Sequence, residues 1–128
     1  MKIAILFCLT LLSFESLAQV NLTNLQVEYQ EKPLGMDEAK PRFSWQMRSQ
    51  SKSHGDKQTA YRIQVKDEKQ NLVWESKKVK SDISIGINYT GKPLQARQKY
   101  TWTVQVWDQK NRISTAHSTF ETGLFATG

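Results

Sequence analysis

Beyond residue 18 the chain has no cysteine; its single cysteine is Cys8. A chain read from Gln19 onward therefore holds no disulfide and no cysteine-bound metal, and packing alone must hold it together. Histidine is equally scarce. His54 and His117 stand far apart, with no cysteine or carboxylate at ligand spacing, so no metal centre is expected. The six glycines form neither a phosphate-cradling loop nor a calcium loop, and there is no defensible Ser-His-Asp grouping. No cofactor is expected. Nor does any window of helical length carry apolar residues at i, i+3, i+4 and i+7, which excludes helical and α/β folds.

The first residues differ from the rest. Lys2 supplies a positive start, residues 3–12 an apolar core too short to span a bilayer, and Ser16-Leu17-Ala18 a small-x-small cleavage site. Residues 1–18 read as a signal peptide, with export to the periplasm or beyond and a mature chain starting at Gln19. A retained anchor or a lipidated Cys8 is the rival reading, but Phe7 stands where lipidation wants a small residue. Residues 19–128 amount to one domain, with no further membrane span. The net charge of +6 is spread out. Its densest runs are Lys77, Lys78 and Lys80, and the stretch from Arg48 through Lys52 to Lys57. Lysines beside strands commonly guard sheet edges, and without aromatic-basic interleaving nucleic acid is not an expected partner.

What is abundant is alternation with period two. Leu25, Val27 and Tyr29 form one series and Phe43, Trp45 and Met47 a second, with Pro33-Leu34-Gly35 breaking the chain between them. Residues 49–58 read as a loop before Tyr61, Ile63 and Val65. A turn over residues 67–71 leads to a short strand over residues 72–75. Ile83, Ile85 and Ile87 read as another strand. Tyr100, Trp102, Val104 and Val106 mark the longest, ending at a turn over residues 108–111, and residues 113–122 close the domain. About seven short strands at even spacing predict an all-β, immunoglobulin-like sandwich of the fibronectin type III kind, without the inter-sheet disulfide. Pro93-Leu94, six residues before Tyr100, predicts that the Tyr100 hydroxyl turns back to the preceding corner.

Six segments, in order, carry a resemblance. They are Asn24-Leu25-Gln26-Val27-Glu28-Tyr29, Pro33-Leu34-Gly35-Met36-Asp37, Pro41-Arg42-Phe43-Ser44-Trp45, Gln58-Thr59-Ala60-Tyr61-Arg62-Ile63, the run from Tyr100 to Asp108, and Phe120-Glu121-Thr122-Gly123. Together they resemble the amino-terminal module of bacterial α-L-rhamnosidases, large inverting glycoside hydrolases. The resemblance implies a fibronectin type III or immunoglobulin-like sandwich ahead of further β-domains and a catalytic helical barrel. It also implies a parent enzyme that removes terminal L-rhamnose from glycans. No catalytic residue of that family falls on a position here. On this reading the chain is a fragment, and its partners are the downstream domains of the same polypeptide or a rhamnose-containing glycan.

Asp37-Glu38 and Asp67-Glu68 are adjacent acidic pairs, but in polar loops such pairs serve as turn formers. Trp45 and Trp102 share faces with the apolar series and read as core. Trp74 and Trp107 fall outside it. Each is open to two readings: burial at the sandwich edge or against a neighbouring domain, and stacking on a sugar. Leu124 and Phe125 follow the last strand and are expected to pack on a following domain, or else fold back on their own sandwich. Asn21-Leu22-Thr23 and Asn88-Tyr89-Thr90 match the glycosylation sequon, an accidental match in a bacterial exported chain. Three functions suit the whole: a non-catalytic accessory module of a rhamnosidase-like hydrolase, a carbohydrate-binding module using Trp74 or Trp107, and a free-standing adhesion or scaffold sandwich.

Overall fold

In the computed structural model, which describes residues 20–49 and 55–125, seven antiparallel strands form two sheets. They are β1 (Val20–Val27), β2 (Arg42–Ser49), β3 (Gln58–Lys66), β4 (Leu72–Glu75), β5 (Ile87–Asn88), β6 (Lys99–Asp108) and β7 (Ile113–Glu121). One sheet has the order β1-β2-β5 and the other β4-β3-β6-β7. The fourth strand thus pairs with the third instead of the fifth, which distinguishes this three-plus-four sandwich from the constant-type immunoglobulin arrangement. The expected signal peptide over residues 1–18, Cys8 and His54 lie outside the described residues. No helix among the described residues is long and apolar enough to cross a membrane.

Alternation places the core as the sequence implies. Phe43, Trp45, Ile63, Val65, Trp102, Val104, Val106 and Phe120 are buried between the sheets. Aromatic rings dominate the packing: Phe43 lies 4.8 Å from Trp102, and Trp45 meets Tyr61 edge-on at 5.3 Å. The expected tyrosine corner is present, with the Gln95 N–H donating to the Tyr100 hydroxyl at 3.0 Å. The turn over residues 67–71 also forms, and Gln70 adopts φ 65° within it.

Two expectations fail, the first at a bulge and the second at a glycine of positive φ. In β1 the register slips between Thr23 and Gln26, and Asn24 takes φ 48°. The extra residue turns both Leu22 and Leu25 toward the core, although they are three apart. Tyr29 does not continue that strand. It sits in a turn at φ 63°, 49 % exposed. The second failure concerns Ile83, Ile85 and Ile87. Only Ile87 belongs to a strand, opposite Phe43. Gly86, at φ 68°, interrupts the alternation, and Ile83 and Ile85 are left 56 % and 67 % exposed. A slip of one residue is enough to change the face that a side chain occupies.

Candidate functional site

The structure does not gather the four apolar residues singled out from sequence into one place. Trp74, on β4, is half-buried and packs against the core, parallel to Phe43 at 6.2 Å and tilted onto Tyr89 at 4.9 Å. Gly91 passes so close that a Cβ there would lie 2.8 Å from Trp74 Cδ1. Its ring is committed to packing within the domain. Trp107, on β6, points the other way, half-exposed on the outer face of the four-stranded sheet. The Lys78 ammonium lies 4.5 Å from its ring centroid. Leu124 is 66 % exposed, while Phe125, one residue on, packs against the domain's own apolar cluster.

Leu124 and Phe125 leave the domain at an end built by two loops. Glu121 N–H donates to Pro33 O, Met36 N–H to Glu121 O, and Gly123 N–H to Met36 O, so residues 33–36 bind the last strand along its side. Arg97 N–H donates to Gly123 O from the other loop. A Cβ at Gly123 would come within 2.7 Å of Gly35 O, so only glycine permits this approach. The arrangement lifts Leu34 to 78 % exposure, the highest among the large exposed apolar side chains. The sequence showed Leu34 only as part of a chain break. Its exposure becomes visible once Pro33 and Met36 are tied to β7.

The second surface is the outer face of the four-stranded sheet. Register sets four rows across it: Ala60, Trp107 and Ile113; Arg62, Gln105 and Thr115; Gln64, Thr103 and His117; Lys66, Thr101 and Thr119. The middle of the face is a shallow depression of about 220 Å³. Arg62 donates to Glu75 Oε2 at 2.9 Å and Gln64 donates to the same oxygen at 3.3 Å. Those two hydrogen bonds, Arg62 first, hold the Glu75 carboxyl below its ordinary range. Lys78 reaches this face from residues 76–81, which run beside β3 through paired hydrogen bonds between Tyr61 and Val79. Val79 packs on the core, leaving Lys78 and Lys80 exposed.

Comparison with known families settles the relationship. A family model described as the Rha78A-like, N-terminal immunoglobulin domain matches residues 22–126. The chain belongs to this family. It is similar to an α-L-rhamnosidase from Streptomyces avermitilis, 41% identical over 114 residues, covering 84% of this chain and 11% of that protein. Its crystal structure, complexed with L-rhamnose, superimposes with a TM-score of 0.75 at 40% identity, over 84% of this chain and 11% of the other. An α-L-rhamnosidase from Formosa agariphila is 39% identical over 99 residues, 72% of this chain and 10% of that protein. The structure of α-L-rhamnosidase from Dictyoglumus thermophilum gives a TM-score of 0.73 at 35% identity, covering 84% of this chain and 13% of that one. The chain thus spans about a tenth of the length of the relatives it matches.

Within this N-terminal immunoglobulin domain, the acidic residues flagged from sequence act on the backbone. Asp67 Oδ1 accepts from Lys69 and Asn71 N–H, closing its turn, and Glu38 Oε1 accepts from Lys40 N–H. His117 lies exposed on β7 opposite Thr103. Among the described residues no cluster of His, Cys, Asp and Glu could hold a metal. Asp108 was read only as part of a turn, yet it is 1 % exposed and holds Lys110 N–H, Arg112 N–H and the Arg112 guanidinium. The Asp-x-x-x-Arg spacing was its only sequence signal.

Proposed function

We propose that the chain is the non-catalytic, N-terminal accessory sandwich of an exported α-L-rhamnosidase-like inverting glycoside hydrolase, and that it packs on and supports the domains that follow. The observation that carries this reading is the pairing of family with coverage: the domain matches the N-terminal immunoglobulin family over residues 22–126 but spans 11% of a rhamnosidase relative. The geometry adds a contact. Leu34 and Leu124 are both exposed at the end where residues 123–125 leave β7, and apolar side chains there lose water if a following domain closes over them. Phe125 buttresses this exit from inside. Interfaces between domains of one chain are modest and partly polar, so two leucines within a polar rim suffice as anchors.

The test compares the chain alone with a longer polypeptide in which it is followed by the downstream domains that the proposal requires. Hydrogen exchange at residues 34–37 and 123–125 should slow when downstream domains are present. The chain alone should not release p-nitrophenol from the α-L-rhamnoside. Hydrolysis by the chain alone, or unchanged exchange at both segments, would overturn the proposal. Amino-terminal sequencing of the exported protein tests the leader, with Gln19 expected first.

A further inference from the structure

The accessory reading does not use the outer face of the four-stranded sheet. Its side chains are unusual in combination. An indole, Trp107, lies beside a patch of two carboxamides, a guanidinium and threonine hydroxyls lining the central depression. Flat rings stack on the apolar faces of sugars, and amides and hydroxyls both donate and accept, which is what reading sugar hydroxyls requires. Nothing apolar dominates apart from Ile113, so the face is a poor match for the buried centre of a protein interface.

The decisive detail is Lys78. Its ammonium covers the Trp107 ring at 4.5 Å. A neutral sugar would have to displace that ammonium from the ring and give it no new partner. A sugar bearing a carboxylate offers one, since the flexible lysine stem can carry the charge from the ring to the anion. Arg62, 39 % exposed and held in place by Glu75, supplies a second cation beside the depression.

We propose that this face binds an acidic saccharide chain, one carrying uronate groups, with a sugar ring on Trp107 and Lys78 turned onto a carboxylate. The inference is independent of whether Leu34 and Leu124 meet a downstream domain. Affinity electrophoresis through gels containing polygalacturonate or neutral β-1,4-galactan tests it on the purified chain. Polygalacturonate should retard the chain. Trp107→Ala should weaken that retention about tenfold, Trp107→Phe should keep most of it, and Arg48→Ala, at an exposed position of β2 in the other sheet, should leave it unchanged. Lys78→Ala should act in opposite directions on the two probes, weakening retention by polygalacturonate while strengthening retention by galactan, because the bared ring no longer has an ammonium to displace.

No retardation by polygalacturonate would overturn the proposal. So would equal losses in Trp107→Ala and Arg48→Ala, which would reduce the effect to the +6 net charge. A Trp107→Ala variant that binds normally but destabilises only the longer polypeptide would reassign the face to a neighbouring domain.

Discussion

The two ends of this sandwich close by different chemistry. Strand β6 begins at the tyrosine end and finishes at the acidic one. At its far end Asp108 takes hydrogen bonds from Lys110 N–H at 2.8 Å, Arg112 N–H at 2.9 Å and Arg112 Nε at 2.7 Å. Arg112 continues to Asp56 at 3.1 Å, so charge ties the β6–β7 turn to the loop before β3. Beside this network Gln58, opposite Asp108 in the sheet, accepts from Trp45 Nε1 and donates to Ser81 O and Ile83 O. At the near end the buried closures are neutral, while charge stays at the surface, where Arg42 binds Glu28 at 2.8 Å and Asp67 closes its turn. Tyr100 accepts from Gln95 N–H, Tyr89 donates to Lys92 O at 2.6 Å, and Thr122 Oγ1 links Gln98 N–H with Gln95 O. Burial, then the neighbouring Tyr100, pushes the Tyr89 phenol upward, so that donor keeps its proton. The difference is where charge sits: buried under the acidic end, but only at the surface of the end that is neutral inside, which also carries exposed Leu34 and Leu124.

The largest effects should come from the two core tryptophans, one hydrogen-bonded to Gln58 and one not. Truncating either to alanine should cost about 3–5 kcal/mol in urea unfolding, through the cavity left behind. Phenylalanine separates them. Trp45→Phe leaves Gln58 Oε1 buried without its donor, whereas Trp102 Nε1 is buried with no partner to lose. Trp45→Phe should therefore cost about 1–3 kcal/mol more than Trp102→Phe. Equal costs would mean that the hydrogen bond from Trp45 to Gln58 contributes nothing net to stability.

Asp108→Asn comes next, at about 1.5–3 kcal/mol near pH 7, because it removes the charge from hydrogen bonds to a largely buried arginine. Burial alone would raise the Asp108 carboxyl, but its hydrogen bonds from Arg112 and Lys110 outweigh that and hold it low. The folded state therefore binds the proton less readily than the unfolded chain. Its contribution is complete above the unfolded carboxylate's pKa of about 3.9 and drains away as pH falls through the lower folded value. Denaturation midpoints measured downward from pH 6 should fall less steeply in Asp108→Asn than in the wild type. Parallel curves would remove Asp108 from the acid response.

How much of this was legible in the sequence depends on whether a signal is local. Strict alternation assigned Phe43, Trp45, Tyr61, Ile63, Val65, Trp102, Val104 and Val106 to the inner faces, and Tyr100 declared its corner through Pro93-Leu94. Alternation misled where a bulge shifted the phase, as at Asn24, and where Gly86 left Ile83 and Ile85 outside. Neither Asn24 nor Gly86 shows, in sequence alone, that it will take a positive φ. The candidate surfaces were harder still. Trp107 was correctly placed off the core series, but the lysine on its ring arrives through pairing of residues 76–81 with β3, which no local pattern encodes. Trp74 was left open between burial at the sandwich edge and stacking on a sugar, and its packing on Phe43 and Tyr89 depends on the close approach of Gly91, which no local pattern shows.

The smaller effects sharpen the contrast at the neutral end. Tyr100→Phe should cost about 0.5–1.5 kcal/mol, the value of one hydrogen bond to a buried hydroxyl, and the cost should be the same at pH 4 and pH 8. A cost that grew toward acid would mean that the buried closures of this end are coupled to charge as well. Leu34→Ser and Leu124→Ser should change the stability of the chain itself by no more than about 0.5 kcal/mol, because both side chains already stand in water. In the longer polypeptide the same changes should lower the unfolding midpoint of this domain, since serine cannot replace the apolar area that a following domain would cover. If both variants were silent in both contexts, the neutral end would be no more a docking surface than the charged one, and the module would lean on its neighbours through some other face.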